Sequence, residues 1–299
     1  MPTEIQARFE AALSAFVEKI KNDPNILSII LCGSLANDTV WEKSDMDLLV
    51  LVREMKLTTK SFCVDEDGLI LNVNLLSEFD FKRSLERNLS GDGMYHMAKV
   101  VYAKDEGFRS FVEDVQKMGA DDRAMAIFRC ATDLIYFMEK IEKWLTVKDD
   151  PLYAQLWCLK AVELYANMRL VLDKRPTSRK AVLKVMAYAP EAIAHLYERP
   201  LQGNMRADEI WDVLKFYQAF LEEHLDLLKQ PVADYMSAGE SYTVTMLVKH
   251  FGMCSHAIYH IFDFLAEMGV VTRITEIARI TPKSRRTVEE VAFMYTEGL

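Results

Sequence analysis

Leu31-Cys32-Gly33-Ser34-Leu35-Ala36, followed after a polar stretch by Ser44-Asp45-Met46-Asp47-Leu48-Leu49-Val50, decides the reading of this chain. Asn25 to Leu31 is a short apolar run after Pro24, and Met46 to Val52 is a second with almost no polar interruption, so both read as buried strands. Gly33 ends the first strand where a backbone can approach a ligand without a Cβ. The N–H groups around Gly33 and Ser34 suit an anion, and the Ser34 hydroxyl adds a donor. Strand side chains alternate, so Asp45 and Asp47 fall on one face, roughly 6.5–7 Å apart, with Met46 turned to the core. Carboxylates so placed can share Mg²⁺ ions about 3.5–4 Å apart, the spacing that serves in-line displacement at phosphorus. Asp-x-Asp alone is more often a loop or helix-cap feature. Joined to a Gly-Ser turn between two apolar strands, it points to nucleotidyl transfer.

On Gly33, Ser34, Ala36, Thr39, Ser44, Asp45 and Asp47 the chain resembles the DNA polymerase β-like nucleotidyltransferase superfamily, over roughly residues 25–105. The resemblance implies that Gly33 and Ser34 hold the β- and γ-phosphates of an NTP and that Asp45 and Asp47 bind two Mg²⁺ ions, with Ser44 orienting the carboxylates. Where many members carry a second glycine in the turn, this chain has Asp38. The superfamily's third carboxylate sits on a later strand. Here that strand is Leu69 to Leu76, after the hairpin turn Asp65-Glu66-Asp67-Gly68, and Asn72 and Asn74 share the expected face. An amide can ligate Mg²⁺ through its carbonyl but cannot take a proton at neutral pH. Three outcomes stay open: a slower enzyme with two carboxylates, a base from another segment, or a nucleotide-binding protein that no longer catalyses. Asp65, Glu66 and Asp67 read as a solvated turn.

The chain has 299 residues, 51% of them apolar, enough for two or three globular domains. No apolar run reaches 18 residues and the N-terminus lacks a signal-peptide pattern, so no membrane span or export is expected. Five scattered cysteines, an odd number without a Cys-x-x-Cys pair, fit a reducing cytoplasm. A net charge of −9 disfavours a large polyanionic partner.

Three pieces are expected: an α/β nucleotidyltransferase domain over 1–107, a helical substrate-binding domain over 108–236 and a winged helix-turn-helix-like domain over 237–299. Ile5, Phe9, Leu13, Phe16 and Ile20 mark an amphipathic first helix. Ser77 to Leu89 reads as helix, Ser90 to Gly93 as a turn and Val100 to Ala103 as the last strand of the first piece, with His96 more plausible as an ordinary histidine than as a contact. Helices are expected over 124–144, 151–172, 179–187 and 208–228. The stripe Tyr153, Trp157, Ala161, Tyr165 reads first as core packing. Lys160, Glu163 and Arg169 are weaker candidates for acceptor or phosphate contacts.

In the last piece, helices over 242–251 and 255–268, capped by Gly269, precede strands over 270–274 and 291–295 around a basic tip of Lys283, Arg285 and Arg286. Six Lys/Arg against seven Asp/Glu do not make the cationic face that DNA requires, so protein contact or homodimerisation is favoured over DNA. His256 and His260, at i and i+4 with Cys254 nearby, form a possible metal face lacking a convincing fourth ligand, and packed or solvent-facing histidines are favoured.

The expected fold class is therefore α+β: a small mixed-sheet nucleotidyltransferase domain, a helical bundle and a C-terminal winged-helix-like domain. By resemblance, the expected activity is transfer of a nucleoside monophosphate, AMP from Mg-ATP in the first instance, to a hydroxyl of a small-molecule or protein acceptor, releasing pyrophosphate. The rival is a catalytically weak or inactive nucleotide-binding regulator acting through the helix-turn-helix.

Overall fold

The structure is a computed structural model that describes residues 4–36, 40–53, 59–81, 98–115, 120–237, 239–281, 283 and 285–296. The chain divides into two compact units, 1–118 and 119–299. In the first, helix α1 (Glu4–Ile20) precedes β1 (Ile26–Cys32), a single helical turn α2 (Gly33–Ala36), β2 (Met46–Val52), β3 (Ser61–Glu66), β4 (Leu69–Ser77), β5 (Lys99–Ala103) and α3 (Glu106–Val115). The sheet order is β3-β4-β2-β1-β5. It is mixed, because β2 pairs β4 in parallel while the other pairs run antiparallel.

β2 is the central strand, and its apolar run, broken at Asp47 alone, reflects burial on both faces. Met46, Leu48 and Val50 join Ile29 and Leu31 under α1, which supplies Phe9, Leu13 and Phe16 at helical spacing. Leu49 and Leu51 join Ile30 and Cys32 on the other face, under Phe81 and Val112. This parity fixes the face on which Asp45 and Asp47 must lie.

The acidic hairpin differs from its expected solvated state. Asp67 and Gly68 both have positive φ, 52° and 74°, as a two-residue hairpin loop requires. Asp65 Oδ1 accepts the Gly68 N–H at 3.1 Å, while Glu66 is buried and bonded to Lys19 Nζ at 2.6 and 2.7 Å. Glu66 therefore ties α1 to the sheet, and the run 65–67 is scaffold.

The second unit is built on two long helices, α4 (Ala120–Thr146) and α5 (Pro151–Leu172). The Asp150 side chain accepts the Tyr153 N–H at 2.9 Å, and Pro151 opens α5 where its missing N–H costs nothing. α6 (Ala181–Tyr188), α7 (Ala194–Leu201), α8 (Ala207–Glu223) and α9 (Leu225–Tyr235) follow. The helix expected over 208–228 is thus two, broken at His224. Apolar spacing continues through Leu221, Leu225 and Leu228, so the pattern carries no sign of the break.

Gln155 is the polar clasp of this unit. It is 7% exposed, its Nε2 donates to Pro200 O (2.6 Å) and Gly203 O (3.0 Å), and its Oε1 accepts from Met205 N–H (2.8 Å). Gln155→Leu leaves two buried backbone groups, Pro200 O and Met205 N–H, unmatched, together with the exposed Gly203 O. A loss of about 2–4 kcal/mol is expected, read as a lower urea midpoint at unchanged m-value; a shift within error would show that water replaces the amide.

The chain ends with β6 (Ser241–Thr243), α10 (Val244–Phe251), α11 (Ser255–Glu267), β7 (Val271–Arg279) and β8 (Thr287–Tyr295), the strands forming an antiparallel sheet in the order β6-β8-β7. Thr243 caps α10 by accepting the Met246 N–H at 3.3 Å, and Gly252, at φ 65°, ends it. The segment packs on α4: Phe128 and Phe251 stack at 5.1 Å, and Arg129 Nη2 donates to Phe251 O at 3.2 Å. Among the described residues no helix is long and apolar enough to cross a membrane.

Candidate active site

Asp47 sits second on β2, and the sheet register decides what surrounds it. Cys32 of β1 lies opposite on one side, Asn72 of β4 on the other, and Cys63 of β3 opposite Asn72. The row Cys32, Asp47, Asn72, Cys63 therefore crosses the sheet on one face. Asp45 immediately precedes the strand and is exposed, Asp47 is half-buried, and Met46 between them is fully buried on the opposite face.

Asn72 Nδ2 donates to Asp45 Oδ2 at 2.5 Å and to Asp47 Oδ1 at 3.4 Å. One amide thus brings both carboxylates to a common point. Asn74, two residues on, lies opposite Leu49 and Ser61, and its Oδ1 accepts from Ser61 Oγ at 2.7 Å. Of the two asparagines that share this face, Asn72 alone makes hydrogen bonds to the aspartates among the described residues.

Gly33 is required for two independent reasons. Its φ is +75°, and a Cβ there would lie 2.6 Å from Asp47 Oδ2. The glycine lets β1 turn into α2 directly against the carboxylate. Gly239 has a similar φ, +80°, with nothing within 4 Å of the place a methyl group would take. Gly33→Ala should therefore lose more stability than Gly239→Ala, whose cost is the left-handed backbone alone, about 1–2 kcal/mol. Denaturant midpoints of the two variants measure the difference, and equal losses would remove the contact with Asp47 from the account.

Ser44 closes the turn that delivers Asp45: its Oγ accepts the Trp41 N–H at 3.1 Å and its N–H donates to Trp41 O at 2.9 Å. Its hydroxyl acts on the turn rather than on a carboxylate. Cys32, buried beside Asp47, has its thiol pushed up to about 12, first by burial and second by the carboxylate's charge. It remains a neutral packing group. The Ser34 side chain, Asp38, Thr39, the turn over 90–93 and His96 lie outside the described residues.

The weaker candidates belong to the second unit. Tyr165 is 2% exposed among Phe216, Tyr217 and Phe220, Ala161 is fully buried, and Trp157 meets Phe137 at 5.3 Å, so this part of the stripe is packing. Tyr153 is 40% exposed against Trp144. Lys160 Nζ lies 4.3 Å from the Trp157 ring centroid, Glu163 is exposed, and Arg169 Nε is buried without a hydrogen-bond partner among the described residues. Sequence spacing missed a groove of about 490 Å³ lined by α4, α8 and α11, with Glu139, Glu142, Trp211, Glu222 and Asp263 on its walls. Its walls come from three helices far apart in the chain, so no local motif announces it.

The two carboxylates suit a hard cation such as Mg²⁺; Asn72, which turns its Nδ2 to both of them, would ligate through Oδ1 only after its amide flips. Among the described residues no three of His, Cys, Asp and Glu converge on one metal position.

Residues 16–107 match the family model described as polymerase beta, nucleotidyltransferase. The chain's fold is similar to that of a nucleotidyltransferase-like protein from Exiguobacterium sibiricum 255-15, at a TM-score of 0.66 and 13% identity, covering 96% of this chain and 99% of that one. A spectinomycin adenyltransferase from Enterococcus faecialis, crystallised with ATP and spectinomycin, aligns at a TM-score of 0.36 and 14% identity, covering 72% of this chain and 99% of that one. That second overlap is too slight to carry an argument. No curated protein matches the chain.

Proposed function

We propose that the protein transfers a nucleoside monophosphate, AMP from Mg-ATP, to a hydroxyl of an acceptor and releases pyrophosphate. The observation that carries this reading is the meeting of Asp45 and Asp47 on the Asn72 amide, beside the Gly33 turn, inside a nucleotidyltransferase domain. Asp45 and Asp47 would hold two Mg²⁺ ions, which in such chemistry neutralise phosphate charge and orient the displacement. The protein's own part is positional. Gly33 and Ser34 would present backbone N–H groups to the β- and γ-phosphates, Ser44 fixes the turn that aims Asp45, and Asn72 would complete the site as a neutral third member.

The acceptor would be a small molecule or a protein side chain; the second unit carries a groove of about 490 Å³, a volume usual for small-ligand sites. The three-part division at 107 and 236, with a winged last part, is also our reading; its support is the strand, helix, helix, strand, strand order after Ser241. In α11, the helix that would read DNA, Ile258, Ile261, Phe262 and Leu265 are fully buried, and His260 packs on Glu139 of α4. A homodimer remains compatible with the exposed β7 edge. Cytoplasmic residence rests on the unpaired cysteines.

The second reading, a nucleotide-binding regulator, draws on Asn72, whose amide cannot accept a proton from the acceptor hydroxyl. One experiment separates the two. The protein is incubated with Mg²⁺ and each labelled NTP, with and without a panel of aminated and hydroxylated small molecules. Pyrophosphate release that depends on NTP and acceptor supports transfer; tight nucleotide binding without turnover supports the regulator, and neither binding nor turnover overturns both.

A further inference from the structure

The second unit carries a pair of histidines beside Glu139, at one side of the groove. His256 and His260, one turn apart on α11, face each other through their Nε2 atoms at 2.8 Å, and His260 Nδ1 is hydrogen-bonded to the Glu139 carboxylate of α4. The carboxylate only accepts, so His260 Nδ1 carries the proton. With one proton on each ring, His260 offers a lone pair at Nε2, and His256 Nε2–H donates to it. The rings pack on Tyr136, with centroids 5.2 Å (His256) and 6.0 Å (His260) away. His260 is 13% exposed and His256 opens to solvent.

We propose that His256 and His260 form a surface site for a divalent transition-metal ion of borderline softness, with Glu139 as its orienting carboxylate. Two imidazoles at i and i+4 lie on one helix face, and the second nitrogen of a metal-bound histidine is ordinarily held by a carboxylate, as Glu139 holds His260. Metal–nitrogen bonds of about 2.0–2.1 Å in tetrahedral geometry set the nitrogens about 3.3 Å apart, roughly 0.5 Å more than the pair shows. The ion replaces the proton between the rings: His256 moves its proton from Nε2 to Nδ1, both Nε2 lone pairs turn to the metal, and no other bond changes. Two protein ligands leave the remaining positions to water, in accord with the lack of any three-residue cluster among the described residues. The donor set of two imidazoles selects Zn²⁺, Ni²⁺, Co²⁺ or Cu²⁺ over Mg²⁺.

The test titrates the full chain with Zn²⁺ against a chelating dye. In excess Mg²⁺, which occupies the carboxylate pair, one Zn²⁺ per chain is expected at about micromolar concentration, weakened at least 10-fold in both His256→Asn and His260→Asn and about 10–100-fold in Glu139→Gln. Affinity should stay unchanged in the Cys63→Ser/Cys254→Ser and Asp45→Asn/Asp47→Asn double variants. Circular dichroism checks that each variant folds, and solvent-open His256→Asn decides should His260→Asn unfold. No binding by the wild type, binding that survives His256→Asn, or binding that follows the cysteines or aspartates overturns the proposal.

Discussion

Asp47→Ala is expected to reduce magnesium-dependent pyrophosphate release by at least about 10³-fold, equivalent to about 4 kcal/mol of transition-state stabilisation, while the protein stays folded. The size follows from position. Asp47 is flanked by Cys32 and Asn72 across the sheet, and Gly33 is shaped to its carboxylate, so its loss leaves Asp45 as the single carboxylate on the Asn72 amide. Its half-buried side chain makes no contribution to the apolar clusters beneath α1 and α3, and the variant should unfold at a denaturant concentration close to the wild type's. Steady-state pyrophosphate assays on both proteins, with Asp47→Asn as an isosteric third, measure the effect. Retention of more than a tenth of the wild-type rate in the alanine variant would remove Asp47 from the chemistry.

Asn72→Asp should do the reverse and raise turnover by about 10²-fold, within the range a positioned general base contributes. The amide now donates to both carboxylates. An aspartate there removes that donor and adds a third negative charge, so the metal-free protein should melt at a lower temperature than the wild type. Added Mg²⁺ reverses the sign: three carboxylates repel one another without a cation and bind one more tightly than two do. The expected signature is a larger Mg²⁺-induced rise in melting temperature, with a magnesium affinity increased at least 10-fold. Thermal shift against Mg²⁺ concentration and initial rates with saturating NTP read both quantities. If the magnesium dependence is unchanged, Asn72 does not stand at the third position; if affinity rises without rate, the proton acceptor lies elsewhere.

The elements around the aspartates were legible because they are local. An apolar run interrupted only by Asp47 marks β2 from Met46 to Val52, and parity alone places Met46 in the core and Asp45 and Asp47 together. The same parity could not separate Asn72 from Asn74, which point the same way. That choice belongs to the parallel register of β2 against β4, set by residues far apart in sequence. Ser61 to Glu66, an edge strand with exposed residues on both faces, carries too weak an alternation to be read as β3, and Glu66 looked solvated because Lys19, its partner, is 47 positions away. The break at His224 and the groove among α4, α8 and α11 were hidden for a similar reason: tertiary packing makes them, and each helix by itself shows only a continuous apolar stripe.

The cysteine at each end of the row through Asp47 gives a practical handle. Cys32 is sealed in the sheet with a thiol that does not ionise near neutrality, whereas Cys63 and Cys254 are open to solvent. A maleimide dye will therefore attach to Cys63 and Cys254 and spare Cys32. In a Cys254→Ser background the label occupies a single place, two strands and about 10 Å from Asp47. Its emission then reports occupancy of the carboxylate pair in real time, with no radioactive nucleotide and no need to know the acceptor.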